Sequence, residues 1–373
     1  MAFIVATTTG FPPQYYVQEV LATALRKFCM VMDLDFDLDI IDRFFSNVMI
    51  KGRYFALPLD SFYDRQGIEA TICQTIETCV DLTEGNVRKL LEKTNLDPKE
   101  ISQLTSVTLT AAIPSLDARL MNRIPFSPNL KRFPLFGFGC LGGAAGIARV
   151  ADYLEGHPKD SAILFSAELS SALWQGSLQL DLQSMVRGLP ENPSLYNDIV
   201  STIVTAALFG DGSAAVLIVG REHPLAQPGL PRIIDSRSHW LPNTVHLMGM
   251  DIADIGIRNI LRPQVGEYVQ TGLRQAIDPL LEAHNLSVDK ISRWIVHPGG
   301  PKVIDAVETE LGLDDQALQL SRETLAKVGN LSASTVLYML NETLSGEQPK
   351  AGSYGLLIGM GPGFSLELIL LQW

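Results

Sequence analysis

Short apolar runs alternate along this chain with longer segments of helical periodicity, and that alternation restricts the fold more than any other feature. Ala162–Ala167 and Ala214–Val219 carry almost no polar side chain, as strands do when helices cover both faces of their sheet. Ala2–Thr9, Leu104–Ala112 and Leu135–Phe138 read as further strands, and Tyr15–Met32 and Leu141–Leu154 as helices. A second half opens near Pro228–Pro231 and repeats the logic. It has helices at Val265–His284, Lys302–Leu311 and Ser332–Leu344, and strands at Trp294–Val296, Tyr354–Ile358 and Phe364–Leu371. The expectation is a layered α/β protein of two similar halves, 1–228 and 229–373. Leu173–Ser201, rich in Gln, Ser, Pro and Asn, reads either as a pocket-lining insertion or as an ordinary surface loop.

With 46% hydrophobic and 19% charged residues, the chain has ample material for a core, and disorder is not a sensible reading. A net charge of −12 argues against a general nucleic-acid binder, yet leaves room for an anionic small molecule met by a local basic patch. No apolar stretch approaches the roughly 20 residues of a membrane span, and Met1–Gly10 has no signal-peptide pattern. A reducing, cytoplasmic setting is therefore expected. Cys29, Cys73, Cys79 and Cys140 form no CxxC pair, so no metal site is expected. Cys73 and Cys79 read as core or half-buried residues of one helix.

Cys140 stands apart. In Gly137-Phe138-Gly139-Cys140-Leu141-Gly142-Gly143 it falls where a strand turns into a small-residue helix. A helix start offers unpaired N–H groups and partial positive charge, both of which favour a thiolate. His297 ends the run Trp294-Ile295-Val296 and enters Pro298-Gly299-Gly300-Pro301, a rigid loop able to hold an imidazole at a sheet's edge. Asn330, in Gly329-Asn330-Leu331-Ser332-Ala333, precedes another helix. A cysteine, a histidine and an asparagine, each at the end of an apolar run, point to thioester chemistry.

These motifs, with Leu208-Phe209-Gly210-Asp211-Gly212-Ser213 and Gly359-Met360-Gly361-Pro362-Gly363-Phe364, occur in an order and spacing that resembles the type III polyketide synthases, the chalcone- and stilbene-synthase-like family of the thiolase superfamily. The resemblance implies a homodimer of five-layered αβαβα subunits, with Cys140 on the first thiolase-like half and His297 and Asn330 on the second. It implies no cofactor, with coenzyme A thioesters as substrates reaching a buried pocket by a tunnel. Cys140 would carry the acyl chain, paired as thiolate with His297. His297 and Asn330 would donate to thioester oxygens and to the enolate left when malonyl-CoA decarboxylates.

The resemblance also suggests further roles. Phe209 matches an aromatic gate, and Val245 and Leu173 fall where plant members carry a Phe and a small polar residue. Both changes make the wall more aliphatic and favour a fatty-acyl starter, with an alkylpyrone or alkylresorcinol as product. Lys51 and Arg53 resemble the basic patch for coenzyme A phosphates. Ile113 sits where relatives place a Met that crosses the dimer. Glu168, Ser170 and Ser332 are candidate pocket polars. Two other readings stay open: an initiating ketoacyl-carrier-protein synthase, which would need a basic patch for its carrier protein, and a catalytically silent thiolase-fold binding partner.

Overall fold

The computed structural model describes residues 1–62, 68–110, 113–171, 182–253 and 256–373. The first-half strands are β1 (Ala2–Gly10), β2 (Gln14–Val17), β3 (Gly52–Phe55), β4 (Gln103–Val107), β5 (Lys131–Leu135), β6 (Ser161–Leu169) and β7 (Asp211–Gly220). The second half adds β8 (Arg232–Trp240), β9 (Met248–Ala253), β10 (Gly256–Leu261), β11 (Ile291–Val296), β12 (Tyr354–Gly361) and β13 (Ser365–Gln372). The helices used below are α1 (Gln18–Val31), α2 (Asp39–Asn47), α3 (Ile68–Thr94), α4 (Leu116–Leu120), α5 (Gly142–Gly156) and α6 (Leu195–Leu208). They continue with α7 (Val265–Ala283), α8 (Pro301–Leu311), α9 (Gln319–Val328) and α10 (Ser334–Ser345).

Strand pairing exposes the two similar halves. The main sheet runs β11-β12-β13-β8-β1-β7-β6-β4-β5. From β1 outward, the partners are antiparallel β7, antiparallel β6 and then parallel β4. From β8 outward, they are antiparallel β13, antiparallel β12 and parallel β11. The halves meet where Ala2 and Phe3 of β1 pair Ile233 and Arg232 of β8.

Helices α5 and α10 pack against strands of both halves, so they form the middle layer of an αβαβα stack. Ile4, Val216, Ala148, Val336, Leu357 and Ile369 belong to one continuous core there. A helix enclosed on all sides cannot afford a polar face, and α5 is small and apolar through most of its length. Outside, α3 covers β1, β7 and β6, while α7 lies on β8 and β13. The layered fold expected from the sequence is the fold found.

Some local expectations are corrected. Tyr15–Val17 is not the start of a helix but strand β2, held by pairing with β3 (Tyr15 opposite Tyr54). The strand expected at Leu135–Phe138 lies earlier, at Lys131–Leu135. Cys73 is exposed, because α3 turns that position outward while burying Cys79. No described helix is long and apolar enough to cross a membrane.

Candidate active site

Two left-handed glycines, Gly137 (φ +85°) and Gly139 (φ +51°), make the corner that delivers Cys140. Left-handed backbone strains any residue with a Cβ, which explains the G-F-G spacing. Cys140 then sits in a short 3-10 turn, Gly139–Leu141, that leads straight into α5. A Cβ at Gly143 would collide with the Ala333 carbonyl oxygen, so only glycine lets α5 approach the segment carrying Asn330 and Ser332.

The structure brings Cys140, His297, Asn330 and Phe209 to the wall of one cavity of about 790 Å3. His297 follows β11 and donates its N–H to the Ile358 carbonyl of β12 at 2.9 Å. Asn330 lies between α9 and α10, 3.9–4.0 Å from Cys140 Sγ through its two side-chain amide atoms. The Ser332 N–H donates to Asn330 Oδ1 at 2.8 Å. That fixes the amide orientation: the oxygen is occupied, and the NH2 is directed at Cys140 Sγ, where a thioester would form. Ser332 itself has φ +52° and places its hydroxyl 3.7 Å from Cys140 Sγ.

The electrostatics modify the expectation of a ready thiolate. Burial pushes the Cys140 thiol up to about 12; the Ser332 and Asn330 hydrogen bonds pull it back, and the Glu168 charge pushes it further up. Burial likewise lowers His297 to about 4, and its Nδ1 has no partner among the described residues. The resting pair is therefore thiol and neutral imidazole, because an enclosed apolar wall penalises both charges more than a helix start relieves one. Glu168 is fully buried and raised to about 8 by burial, although the Leu109 and Ala333 N–H groups donate to it. Among the described residues, its Oε1 and the Ser170 hydroxyl have no hydrogen-bond partner.

A pH experiment follows. Below a thiol's pKa its thiolate fraction rises tenfold per pH unit, so iodoacetamide should label Cys140 at a rate that climbs steadily from pH 6 to 9. Glu168→Gln, which removes a negative charge that raises the thiol, should speed labelling when compared at pH 9. A rate that plateaus near neutrality would show a preformed ion pair instead.

Other sequence candidates fare unequally. Val245 is 77% exposed and is not part of the cavity wall. Its turn buries the preceding residue, Thr244, whose hydroxyl bonds the Leu241 carbonyl, and so turns Val245 outward. Leu173 lies outside the described residues. Arg53 cannot meet a phosphate at the surface: it is 1% exposed, with its guanidinium bonded inside the protein. Lys51 is exposed but does not line the cavity. Ile113 is 99% exposed and takes no part in its own chain's cavity.

The cavity also holds residues that the sequence reading missed. Ser194, the N-cap of α6, and Asn197 and Ser201 within it recur at helical spacing and line it, so part of the irregular 173–201 segment is pocket wall. Two cations line it as well: Arg262, bonded to Asp198 at 3.1 Å, and Lys302, exposed in the first turn of α8. The Lys302 signal was present in the sequence, directly after His-Pro-Gly-Gly-Pro.

A layered fold with a cysteine, a histidine and an amide donor on one enclosed wall defines the class of acyltransferases that work on thioesters. Sequence models of the family agree: "Chalcone and stilbene synthases, N-terminal domain" matches residues 1–223 and the C-terminal domain matches residues 232–373. A 1,3,6,8-tetrahydroxynaphthalene synthase of Streptomyces peucetius subsp. caesius is 36% identical over 99% of this chain and 93% of that protein. The enzyme of the same name from Streptomyces coelicolor is 26% identical over 89% of this chain and 82% of its own length. A solved structure of tetrahydroxynaphthalene synthase from Streptomyces coelicolor superposes with a TM-score of 0.87 at 23% identity, covering 100% of this chain and 99% of that one. The chain belongs to the chalcone and stilbene synthase family and is a type III polyketide synthase.

Proposed function

We propose that the protein lengthens an acyl group held on Cys140 by decarboxylative condensation with malonyl-CoA. The observation that carries this reading is the shared cavity, where the thiol, the imidazole and the Asn330 NH2, which faces Cys140 Sγ, converge. His297 takes the Cys140 proton as Sγ attacks the thioester carbonyl, and returns it to the departing coenzyme A thiolate. Malonyl-CoA then enters and loses carbon dioxide. The resulting enolate oxygen is held by Asn330 and His297 donors, and its carbon attacks the Cys140 thioester. The Sγ–acyl bond breaks, the Cys140 thiolate leaves, and the lengthened chain, now on the coenzyme A of the former malonyl unit, reacylates Cys140 for the next round.

The proposed product is a polyhydroxylated aromatic built from malonyl units alone. Support comes from the 36% identical relative, named for a naphthalene oxygenated at positions 1, 3, 6 and 8. Such alternate oxygenation is what successive two-carbon units leave behind. A fatty-acyl starter giving an alkylpyrone or alkylresorcinol is the second reading. Exposed Val245 does not argue for it, but Val200, Val204, Leu208 and Leu261 give the cavity an apolar side. Each buried CH2 would contribute about 0.8 kcal/mol. Mass spectrometry of products from labelled malonyl-CoA, alone and with an acyl-CoA series, separates the two. Aromatic product from malonyl-CoA alone supports the first, and products only with long acyl-CoAs support the second. Turnover only with carrier-bound acyl groups would move the assignment to carrier-protein synthases, and no turnover at all to a silent binding partner.

With Arg53 buried and Arg262 paired, Lys302 is the cation proposed to meet the coenzyme A phosphates at the cavity mouth. Lys302→Glu should raise KM for malonyl-CoA at least fivefold and leave that for malonyl-N-acetylcysteamine, which lacks phosphates, within twofold. An equal rise for both would assign Lys302 to another group.

A homodimer is also proposed. Edge strand β5 leaves Phe133 and, just beyond it, Phe136 exposed, near in sequence to the fully exposed Ile113. Exposed apolar edges usually mark a pairing surface. Sedimentation should give twice the mass of one chain; a monomer would remove the proposal.

A further inference from the structure

Arg53 is among the largest fully buried side chains in the protein, and nothing in the chemistry above uses it. Burying a guanidinium costs several kcal/mol unless its donors are met, so its partners show what it is there to hold. Its Nη1 donates to the Phe209 carbonyl at 2.6 Å, and its Nε donates to Gln18 Oε1 at 3.2 Å. Gln18 in turn donates to the Ala207 carbonyl at 2.9 Å. The guanidinium lies over Phe55, 5.4 Å from the ring centroid, and the buried Asp211 acts on it as the opposing charge.

The stem of the side chain is placed as tellingly as the head. Phe209 and Asn330 form an isolated parallel bridge, in which the Asn330 N–H donates to Leu208 O and the Gly210 N–H donates to Asn330 O, each at 3.0 Å. The two glycines flanking that bridge both face Arg53. A Cβ at Gly329 would come within 2.8 Å of Arg53 Cδ, and one at Gly210 within 3.3 Å of Arg53 Cβ. Arg53 therefore lies flush along the bridge and grips one of its carbonyls. Met or Leu could fill that space, but neither could bond the carbonyl.

We infer that Arg53 is a positioning residue for the condensation: by clamping the Phe209–Asn330 bridge it holds the Asn330 amide at its station beside Cys140. The inference rests on the proposed role of Asn330 as an oxygen-binding donor. It acts at a distance through backbone, so its signature is a lowered turnover rather than weakened substrate binding.

The test is a double-mutant cycle on malonyl-CoA decarboxylation, using Arg53→Met, Asn330→Ala and the double variant, each checked for a folded melting transition. Arg53→Met should lower kcat about tenfold with KM within twofold, and should lower it by less than twofold when Asn330 is already Ala. A full tenfold loss in both backgrounds, or no loss in either, would overturn the inference. If Asn330→Ala alone has no effect, the proposed role of Asn330 fails first, which keeps the two failures distinct. Should Arg53→Met not fold, Arg53→Gln, polar but too short to reach the Phe209 carbonyl, carries the same cycle with the same outcomes.

Discussion

Replacing Cys140 with Ala should reduce product formation to background, a loss on the order of 10^4-fold or more, while malonyl-CoA decarboxylation stays measurable. The reasoning separates the two half-reactions by residue. Among the described cavity residues, Cys140 is the thiol proposed to hold the acyl chain: the neighbouring Ser332 hydroxyl is 3.7 Å away, but an alcohol is a far weaker nucleophile than a thiol. Decarboxylation needs no nucleophile. It needs donors for the enolate oxygen, the role proposed above for Asn330 and His297. Liquid chromatography of coenzyme A esters would follow both reactions in one sample. Loss of both activities in a folded Cys140→Ala variant would show that the thiol also takes part in decarboxylation.

Asn330→Ala and His297→Ala should each lower decarboxylation by about 10^2- to 10^3-fold, the usual range for losing one oxyanion donor. For Asn330, the reason is the fixed amide: with Oδ1 bonded to the Ser332 N–H, the NH2 needs no reorganisation to donate. For His297, burial holds the imidazole neutral, its pKa lowered to about 4. A neutral ring can accept the thiol proton, and it can donate through its one N–H. Since the group stays neutral until pH falls toward 4, the rate should not drop between pH 8 and 6 on account of His297. A drop centred near 6.5 in that range, abolished in His297→Ala, would show that the ring titrates normally and that the buried-neutral description is wrong.

The layered fold was legible because strands buried on both faces leave unbroken apolar runs. β6, β7, β12 and β13 are such strands, and each appears near its expected place. That Cys140, His297 and Asn330 would meet in one cavity was legible because each closes a strand or opens a helix with glycine within two residues. What failed had causes outside the local sequence. Lys51-Gly52-Arg53 reads as a solvated basic patch, yet Arg53 is buried because Phe209, far along the chain, presents a carbonyl to it. The Cys140 corner was placed correctly, but its protonation was not, since desolvation depends on how tightly three separate segments close around the sulfur. Val245 was expected on the cavity wall, but its turn buries Thr244 and leaves Val245 exposed.

The central claim is that the growing chain is carried on Cys140. The most direct measurement is to mix the protein with isotopically labelled malonyl-CoA, quench it in acid during turnover, digest it and locate the label by peptide mass spectrometry. The expected result is an acyl adduct on the peptide containing Cys140, absent from Cys29, Cys73 and Cys79 and absent in Cys140→Ala. Product formation with label on another residue, or with no covalent adduct under a quench that preserves thioesters, would contradict the account.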